Sequence, residues 1–380
     1  MRPSAAGTKL MHVLLTNFNL SMRAGTQLYV RDLALGLRAR GHQPLVYAPL
    51  LGTVATELET AGIAVVDDLD KLQTPPDIIH GNQFIETISA LLFFPRTPGV
   101  YFCHSWQSTV DLPPVFPRIL RYVAVDGPCY QRLLAQGIPK EKASVILNFV
   151  DLARFKPRGP LPPHLRRALI FSNYARAQEH LGPLRDACAR EAIELDVIGE
   201  GVGHVESQPE LRLTEYDLVF AKGRAALEAM AVGAAVILCD VWGLGPMVTT
   251  REFDSLRHLN FGRKALQGRV EVEGIRKELE HYDPRDAAEV SRRVRATASS
   301  DAAIAVILDL YEEAIAEYQA TDNANTDDEL RAAARYLRQI QADFAQHTAL
   351  TLRLRNRLLR IPWVGPQLVR LRERYRTNLS

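Results

Sequence analysis

The sequence predicts an α/β protein made of two tandem doubly wound domains followed by a C-terminal helical extension. Short apolar runs typical of buried strands alternate with helical stretches in two successive series. A proline-rich stretch without a periodic apolar face, residues 151–164, separates the two series and is predicted to be the interdomain linker. The length of 380 residues exceeds one ordinary core and suits two domains with an appendage.

The first series begins with the apolar run at residues 11–16, which reads as a buried parallel strand. A helix is predicted from Gly25 to about Arg40, because Gly41 is a typical C-terminal stop. The same patterns predict the remaining elements of this series. Its later strands are predicted at residues 45–48, 63–66, 77–80, 100–103 and 122–125, and its later helices at 54–60, 84–93 and 128–136.

The second series repeats the alternation and then becomes helical. Its strands are predicted at residues 169–171, 195–198, 218–220 and 236–238, and its helices at 181–191, 223–232, 287–297 and 302–318. Gly199, Gly201 and Gly203 follow one of these strands, but the GxGxxG pattern is incomplete, which favours a plain turn. A further charged helix is predicted at residues 327–346.

Composition narrows the classes of function only slightly. The formal net charge of +2 gives no indication of nucleic-acid binding. No apolar run approaches the roughly 18 residues of a membrane span, and the polar N-terminus carries no secretory signal, so a cytoplasmic location is expected. The four cysteines form no CxxC pair, which favours reduced, buried thiols over disulfides or a metal site.

The strongest local signal is the helix start after the third strand of the second series. Gly223 allows a sharp turn, and the first N–H groups of the helix, with Lys222 and Arg224 beside them, suit a phosphate. Glu228 lies one turn further along and could accept hydrogen bonds from ribose hydroxyls. An ordinary helix start with a solvated glutamate is the alternative, and the spacing leaves both open.

The first series offers weaker candidates. Gly25 and Thr26 open its first helix and could bind an anion there. His80 and His104 end two strands, where open α/β sheets bind ligands, although single histidines more often have structural roles. No cluster with metal-ligand spacing is apparent, so no metal and no cofactor are expected.

Four segments together resemble the glycosyltransferases of family 4, which have the GT-B fold. They comprise residues 24–42 with their glycine and terminal Gly-His, residues 102–104, residues 137–155 and residues 227–237. The resemblance spans roughly residues 10–320. It implies an acceptor-side domain at 1–155, a nucleotide-sugar domain at 165–300 and a helix at 301–322 that returns to the first domain. The composition shifts beyond this point, which predicts a helical basic tail at 323–380.

The resemblance also implies roles for individual residues. Glu228 would bind the ribose, and Gly25 and Thr26 would contact the donor phosphate from the other domain. The diphosphate loop would comprise Gly223, Arg224 and Ala225. The predicted catalytic groups are His104, Arg224 and Lys222. His80 and Asn82 are predicted to lie on the acceptor side.

Two positions depart from the family pattern. The first glutamate of the family's pair should stand eight residues before Glu228, where this chain has Phe220. The family's Arg and Lys after the first strand of the second domain are replaced by a stretch in which Arg176 is the one cation of residues 172–178. Arg176, together with Lys222 or Arg224, is therefore expected to supply the positive charge at the donor.

By resemblance, the expected activity is sugar transfer from a nucleotide-diphosphate sugar to a glycan or lipid-linked acceptor, with retention of configuration. Surface polysaccharide or glycolipid assembly is the expected setting. A GT-B nucleotide-sugar epimerase and a non-catalytic nucleotide-sugar-binding subunit are the alternatives. The chemistry needs no metal if N–H groups and cations stabilise the leaving diphosphate.

The tail has two possible roles. Residues 353–376 hold eight arginines and a single acid, Glu373, with Trp363 between them. Such a segment is either a solvated or packed helix, or a peripheral anchor on an anionic membrane face. Nucleic acid is not expected, because aromatic residues are sparse in this segment.

Overall fold

The computed structural model describes residues 10–175, 178–321 and 326–359. The chain divides into two compact units, Met1–Asp322 and Asn323–Ser380. The first unit contains two α/β sheets with their helices, which confirms the predicted alternation and the two doubly wound domains. The second unit is described by itself below.

The N-terminal domain is built on a seven-stranded sheet in which every pairing is parallel. Its order, β3-β2-β1-β4-β5-β6-β7, reverses direction between β1 and β4. That reversal opens a crevice at the carboxyl ends of β1 and β4. The strands are β1 (His12–Thr16), β2 (Gln43–Tyr47), β3 (Ala64–Val66), β4 (Ile78–Gly81), β5 (Gly99–Cys103), β6 (Ile119–Ala124) and β7 (Ala143–Val145), and the helices are α1 (Gly25–Ala39), α2 (Thr53–Thr60), α3 (Phe84–Phe93) and α4 (Gly127–Ala135).

The second domain has a five-stranded sheet in the order β12-β11-β10-β8-β9. Here the reversal lies between β8 and β10, and β12 is antiparallel to β11. The strands are β8 (Arg167–Phe171), β9 (Glu194–Ile198), β10 (Leu218–Ala221), β11 (Ala235–Asp240) and β12 (Gly243–Met247), and the helices are α5 (Gln178–Arg190), α6 (Pro209–Arg212), α7 (Gly223–Val232), α8 (Phe253–His258), α9 (Val272–Leu279) and α10 (Pro284–Thr297).

Helix α11 (Ser300–Ala320) follows the second domain but packs on the first. Its buried residues share one hydrophobic cluster with α1 and with strands of the first sheet. The approach to α1 is close: a Cβ on Gly36 would stand 2.1 Å from Ile304 Cδ1. The buried face recurs at the three- and four-residue spacing of an amphipathic helix. It consists of Ile304, Ile307, Leu308, Tyr311 and Ala314.

The second unit contains helix α12 (Thr326–Leu359). Three acids, residues 327–329, lie in its first turn, where they complement the positive end of the helix dipole. The predicted helix at 327–346 therefore continues to Leu359. Residues 360–380 and the side chains of the arginines at 353–357 lie outside the described residues, so both roles predicted for the tail stay predictions.

Two strands and several short helices were not predicted from the sequence. β7 is three residues long, and β12 contains Gly-Leu-Gly-Pro, which carries no strand signal; it forms because it pairs with β11 as a hairpin. Across residues 10–175, 178–321 and 326–359, no helix combines the length and apolarity that a membrane crossing requires. The four cysteines are free and buried.

Candidate functional site

A cavity of about 730 Å³ lies between the two domains of the first unit. Its walls come from the carboxyl-terminal edges of both sheets, where parallel α/β sheets bind ligands. The start of α1 lines one side and the start of α7 the other, so two helix N-termini meet in one cavity. Of the predicted residues, those that line it are Gly25, Thr26, His104, Lys222, Gly223, Arg224, Ala225 and Glu228.

The α7 side of the cavity is formed by a turn that requires glycine. Gly223 has a φ of 56°, a left-handed value that strains other residues. Its N–H donates to the carbonyl oxygen of Phe261 at 2.7 Å. The next two N–H groups, of Arg224 and Ala225, belong to cavity-lining residues in the first turn, where no acceptor exists within the helix. This helix start is therefore equipped to bind an anion.

Arg224 joins the two domains through a pair of carboxylates. Its Nε lies 2.7 Å from Glu228 Oε1, and its Nη2 contacts Asp32, a residue of α1. Burial alone would raise the pKa of Asp32, but the charges of Arg224 and Arg31 outweigh it and lower that pKa. Burial likewise opposes the charged guanidinium, yet the two carboxylates raise the pKa of Arg224. Nη1 is the guanidinium nitrogen that neither carboxylate uses.

Lys222 is a second fixed cation at the cavity. Its Nζ lies 3.2 Å from an oxygen of Asp240, a fully buried carboxylate at the end of β11. Asp240 also accepts a hydrogen bond from Ser172 Oγ at 3.0 Å. Lys222 Nζ is 5.2 Å from the ring centre of Tyr174 and 5.0 Å from that of Trp242. Carboxylate and rings together fix the ammonium group at this margin.

The α1 side begins at Ala24, which has no side chain that could cap the helix. The first N–H groups of α1 therefore depend on other acceptors, as they do at the start of α7. Gly25 and Thr26 line the cavity here, and Thr26 Oγ1 donates to Gln27 Oε1 at 3.1 Å. The preceding turn is tied to the second domain, because Asn173 Nδ2 donates to the carbonyl oxygen of Arg23 at 2.8 Å.

His104 lines the cavity as a neutral imidazole of defined tautomer. Asn82 Nδ2 donates to the carbonyl oxygen of Thr16 at 2.7 Å, which turns its Oδ1 toward His104 Nε2, also at 2.7 Å. Nε2 must therefore carry the proton, and Nδ1 is left as an acceptor. Burial lowers the pKa of His104 to about 3, so the ring is uncharged near neutral pH.

The acceptor-side assignments of His80 and Asn82 require correction. His80 is fully buried beneath α11, where its Nδ1 lies 2.6 Å from the hydroxyl of Tyr311 and its ring stacks on Phe102 at 4.1 Å. Burial lowers its pKa well below the usual value. Asn82 is also fully buried and does not line the cavity. Asn82 orients His104, and His80 belongs to the core, so neither faces the cavity.

Phe220, which stands where the family's first glutamate is expected, belongs to the core. It lies inside β10, is fully buried, and is paired in register with Ile170 and Ile237 of the adjacent strands. Its side chain does not line the cavity, and only one residue separates β10 from α7. Arg176, the other predicted donor contact, lies outside the described residues.

Three carboxylates of the site were missed by the sequence reasoning. Asp240 follows a strand at the binding edge and could have been found by that rule. Asp32 sits inside a helix, and nothing in the sequence connects it to Arg224. Asp111 lines the cavity from a loop, and burial raises its pKa to about 6 against the hydrogen bonds from Ser108 and Gln83. Its Oδ1 has no hydrogen-bond partner.

Acidic residues at the site are engaged by cations, and those that the structure describes do not form a cluster of metal ligands. Within the part of the chain that the structure describes, no three His, Cys, Asp or Glu residues gather in a manner that could hold a metal ion. Asp240 and Glu228 are each paired with a cation instead. The expectation that the chemistry needs no metal or cofactor stays a prediction.

Comparison with known proteins shows the fold, and one family model matches part of the chain. The family described as Glycosyltransferase Family 4 matches residues 23–154, whereas no curated protein sequence matches the chain. Anabaena HepE in complex with UDP and glucose aligns over 80% of this chain and 99% of its own, with 17% identity and a TM-score of 0.56. A Rickettsia africae glycosyltransferase aligns over 81% of this chain and 99% of its own, with 14% identity and a TM-score of 0.53. Sucrose-phosphate synthase from Thermosynechococcus elongatus aligns over 81% of this chain and 100% of its own, with 14% identity and a TM-score of 0.53.

Proposed function

We propose that this chain, a GT-B protein with a glycosyltransferase family 4 domain over residues 23–154, transfers a sugar from a nucleotide-diphosphate sugar to an acceptor. One observation carries the proposal: the starts of α1 and α7 line a single cavity, together with Arg224, Lys222 and a ribose-competent carboxylate. The fold is also that of Anabaena HepE, which was solved with UDP and glucose.

The diphosphate is assigned to the space between the two helix starts. The N–H groups of Arg224 and Ala225, the free Nη1 of Arg224 and the ammonium of Lys222 are the donors available to it. Negative charge grows on the diphosphate as its bond to the anomeric carbon breaks. Donors already fixed in place stabilise that charge, and removing one such donor typically costs about 10²- to 10³-fold in kcat.

Glu228 is assigned to the ribose. Its Oε1 is held by Arg224, which fixes the carboxylate and leaves Oε2 for a hydroxyl. The group is 4% exposed and lines the cavity, so a hydrogen bond formed there is shielded from water. His104 adds a neutral acceptor, Nδ1, on the opposite wall, and the donor sugar is assigned to the space beside it.

The acceptor is assigned to the first-domain wall, where Gln83 and Asp111 line the cavity. A glycan or a lipid-linked saccharide fits this assignment, and transfer with retention follows the family pattern. Surface polysaccharide or glycolipid assembly at the cytoplasmic face of a membrane is the setting proposed, with the arginines of residues 353–376 as a peripheral anchor. Membrane flotation of the full chain with phosphatidylglycerol vesicles tests the anchor.

The nucleotide site is tested by calorimetry with UDP and GDP. Glu228→Ala is expected to weaken nucleotide binding by about tenfold or more, because the ribose loses its partner and Arg224 loses one of its two carboxylates. Glu280→Ala, which removes an exposed glutamate of the same domain, is the matched control and should bind as the unaltered protein does. Equal nucleotide binding by both variants would show that Glu228 does not contact the nucleotide.

Transfer itself is tested by incubating the protein with radiolabelled nucleotide sugars and membranes. A transferase labels a lipid or glycan, and the label disappears with Glu228→Ala. Nucleotide binding without any labelled product would instead favour a non-catalytic subunit, the second candidate, which is suggested by Phe220 standing where the family has a glutamate. Isomerised donor sugar in the absence of acceptor would indicate an epimerase.

A further inference from the structure

Aromatic and cationic side chains cluster beside the cavity, and of these only Lys222 is assigned to the donor diphosphate. They come from both domains of the first unit and form a continuous set of contacts. Two of them, Lys222 and Tyr174, also line the cavity. We call this set the aromatic-cation rim, and its members are Tyr174, Trp242, Trp106, Lys222, Arg263 and Lys264.

Trp242 is the centre of the rim. It stands in the two-residue turn between β11 and β12 and is 40% exposed. Two cations share its ring: Lys222 Nζ is 5.0 Å and the Arg263 guanidinium carbon 4.9 Å from the ring centre. The ring of Tyr174, 45% exposed, meets it edge-on at 4.7 Å. A large, partly exposed aromatic surface thus lies beside two positive charges.

The rim continues across the cleft to the first domain. Arg263 Nη1 donates to Gln107 Oε1 at 2.8 Å, and Lys264 Nζ lies 4.6 Å from the ring centre of Trp106. This loop of the first domain is fixed by Ser105 Oγ, which accepts hydrogen bonds from the N–H groups two and three residues later. Trp106 stands two residues after His104, so the rim borders the site of chemistry.

The rim carries more positive than negative charge. Among the described residues, Arg263 and Lys264 form no ion pair, whereas Lys222 is paired with Asp240. Burial raises the pKa of Asp126, and the positive charge of Lys264 acts to lower it, although the two residues form no ion pair. Contacts between an exposed cation and a ring are worth only about 0.5–1 kcal/mol each, so an anion can compete for these cations.

We propose that the aromatic-cation rim extends the acceptor site beyond the first-domain wall, and that the acceptor is a saccharide carrying an anionic group, either a carboxylate or a phosphate. The proposal rests on the proposed transferase function, since it names the acceptor class of that same cavity. Indole and phenol rings suit the apolar C–H face of a sugar, and the guanidinium carbon of Arg263 lies 4.9 Å from the centre of the Trp242 ring. An anionic substituent on a sugar stacked beside Trp242 can therefore reach Arg263, which forms no ion pair among the described residues.

The test uses Trp363→Phe as the background, so that fluorescence reports on Trp106 and Trp242, the other two tryptophans of the chain. With excess UDP present, the protein is titrated with tetragalacturonate, N-acetylglucosamine 1-phosphate and maltotetraose. One of the two anionic probes is expected to quench the fluorescence and the neutral one is not. Trp242→Leu combined with Arg263→Gln should weaken that binding by about tenfold or more, measured by calorimetry.

The controls separate this proposal from the transferase itself. Arg251→Gln removes an equally charged but 91% exposed side chain of the same domain and should bind the anionic probe normally. Nucleotide binding by the double variant should stay within about threefold of normal, because neither substituted side chain is a donor contact. If the protein failed to bind UDP but still bound the anionic probe, the proposed transferase function would be wrong and the rim proposal would stand.

Three results would overturn the rim as an acceptor site. Equal binding of maltotetraose would show that the site does not require an anionic group. Unchanged binding of the anionic probe by the double variant would show that the rim does not bind the acceptor. A lowered melting temperature with unchanged probe binding would show that these contacts serve only to hold the domains together. Preference between tetragalacturonate and the sugar phosphate identifies the anionic group.

Discussion

Asp111→Asn is expected to stabilise the protein at alkaline pH and to leave its stability unchanged in acid. Burial raises the pKa of Asp111 from 3.8 to about 6. The folded state therefore binds this proton more tightly than the unfolded state, and stability is lost as pH rises from about 4 through about 6. A shift of about two units, at 1.36 kcal/mol each, corresponds to roughly 3 kcal/mol. Asparagine keeps the shape and one acceptor oxygen but never ionises.

The assay is urea denaturation followed by tryptophan fluorescence at pH 4 and pH 8. The variant should gain up to ~3 kcal/mol over the unaltered protein at pH 8 and close to nothing at pH 4. Asp309→Asn, in which an exposed carboxyl of α11 is changed, is the control and should show no such difference between the two pH values. A variant that is equally stabilised at both pH values, or destabilised at pH 8, would refute the reasoning.

Two glycines give further predictions. Gly199→Ala places a Cβ 1.9 Å from the backbone carbonyl oxygen of Ser172, and both residues line the cavity, so UDP binding measured by calorimetry should fall about tenfold. Gly159→Ala is the control, because the space around Gly159 is open, and it should bind UDP normally. An equal loss of binding in both variants would contradict the prediction. Gly36→Ala gains about 1 kcal/mol of helix propensity but collides with Ile304 Cδ1, so unfolding free energy should fall by about 1–3 kcal/mol. Adding Ile304→Val should restore it, and a Gly36→Ala protein more stable than the original would show that the helices separate freely.

The elements that sequence reasoning predicted correctly are those whose signal is local. Helix α3 was predicted with its observed bounds, because an apolar stretch lies between clear breaks. The start of α7 was predicted because Gly223 comes just after a strand, which is a local feature. By contrast, β12 has no intrinsic strand preference and exists through its partner, so no window of the sequence could indicate it.

The parts of the site that could not be predicted depend on contacts between distant segments. His80 follows the strand-end rule, yet Tyr311, 231 residues later, covers it. Asp32 and Arg224 are 192 residues apart, and their ion pair arises only from the placement of one domain against the other. Periodicity and spacing describe neighbours along the chain, so they assign residues to an edge of a sheet but not to a partner across the cleft.

Helix α11 has a consequence for synthesis on the ribosome. The sheet of the first domain is complete at Val145, but the helix that covers part of its core begins at Ser300. At about 5–20 residues per second, the nascent first domain waits roughly 10–30 s for this helix. During that interval the second domain emerges in full beside an uncovered apolar face. The first domain is therefore expected to expose the apolar surface beneath Ile304, Ile307 and Tyr311 until α11 has been synthesised.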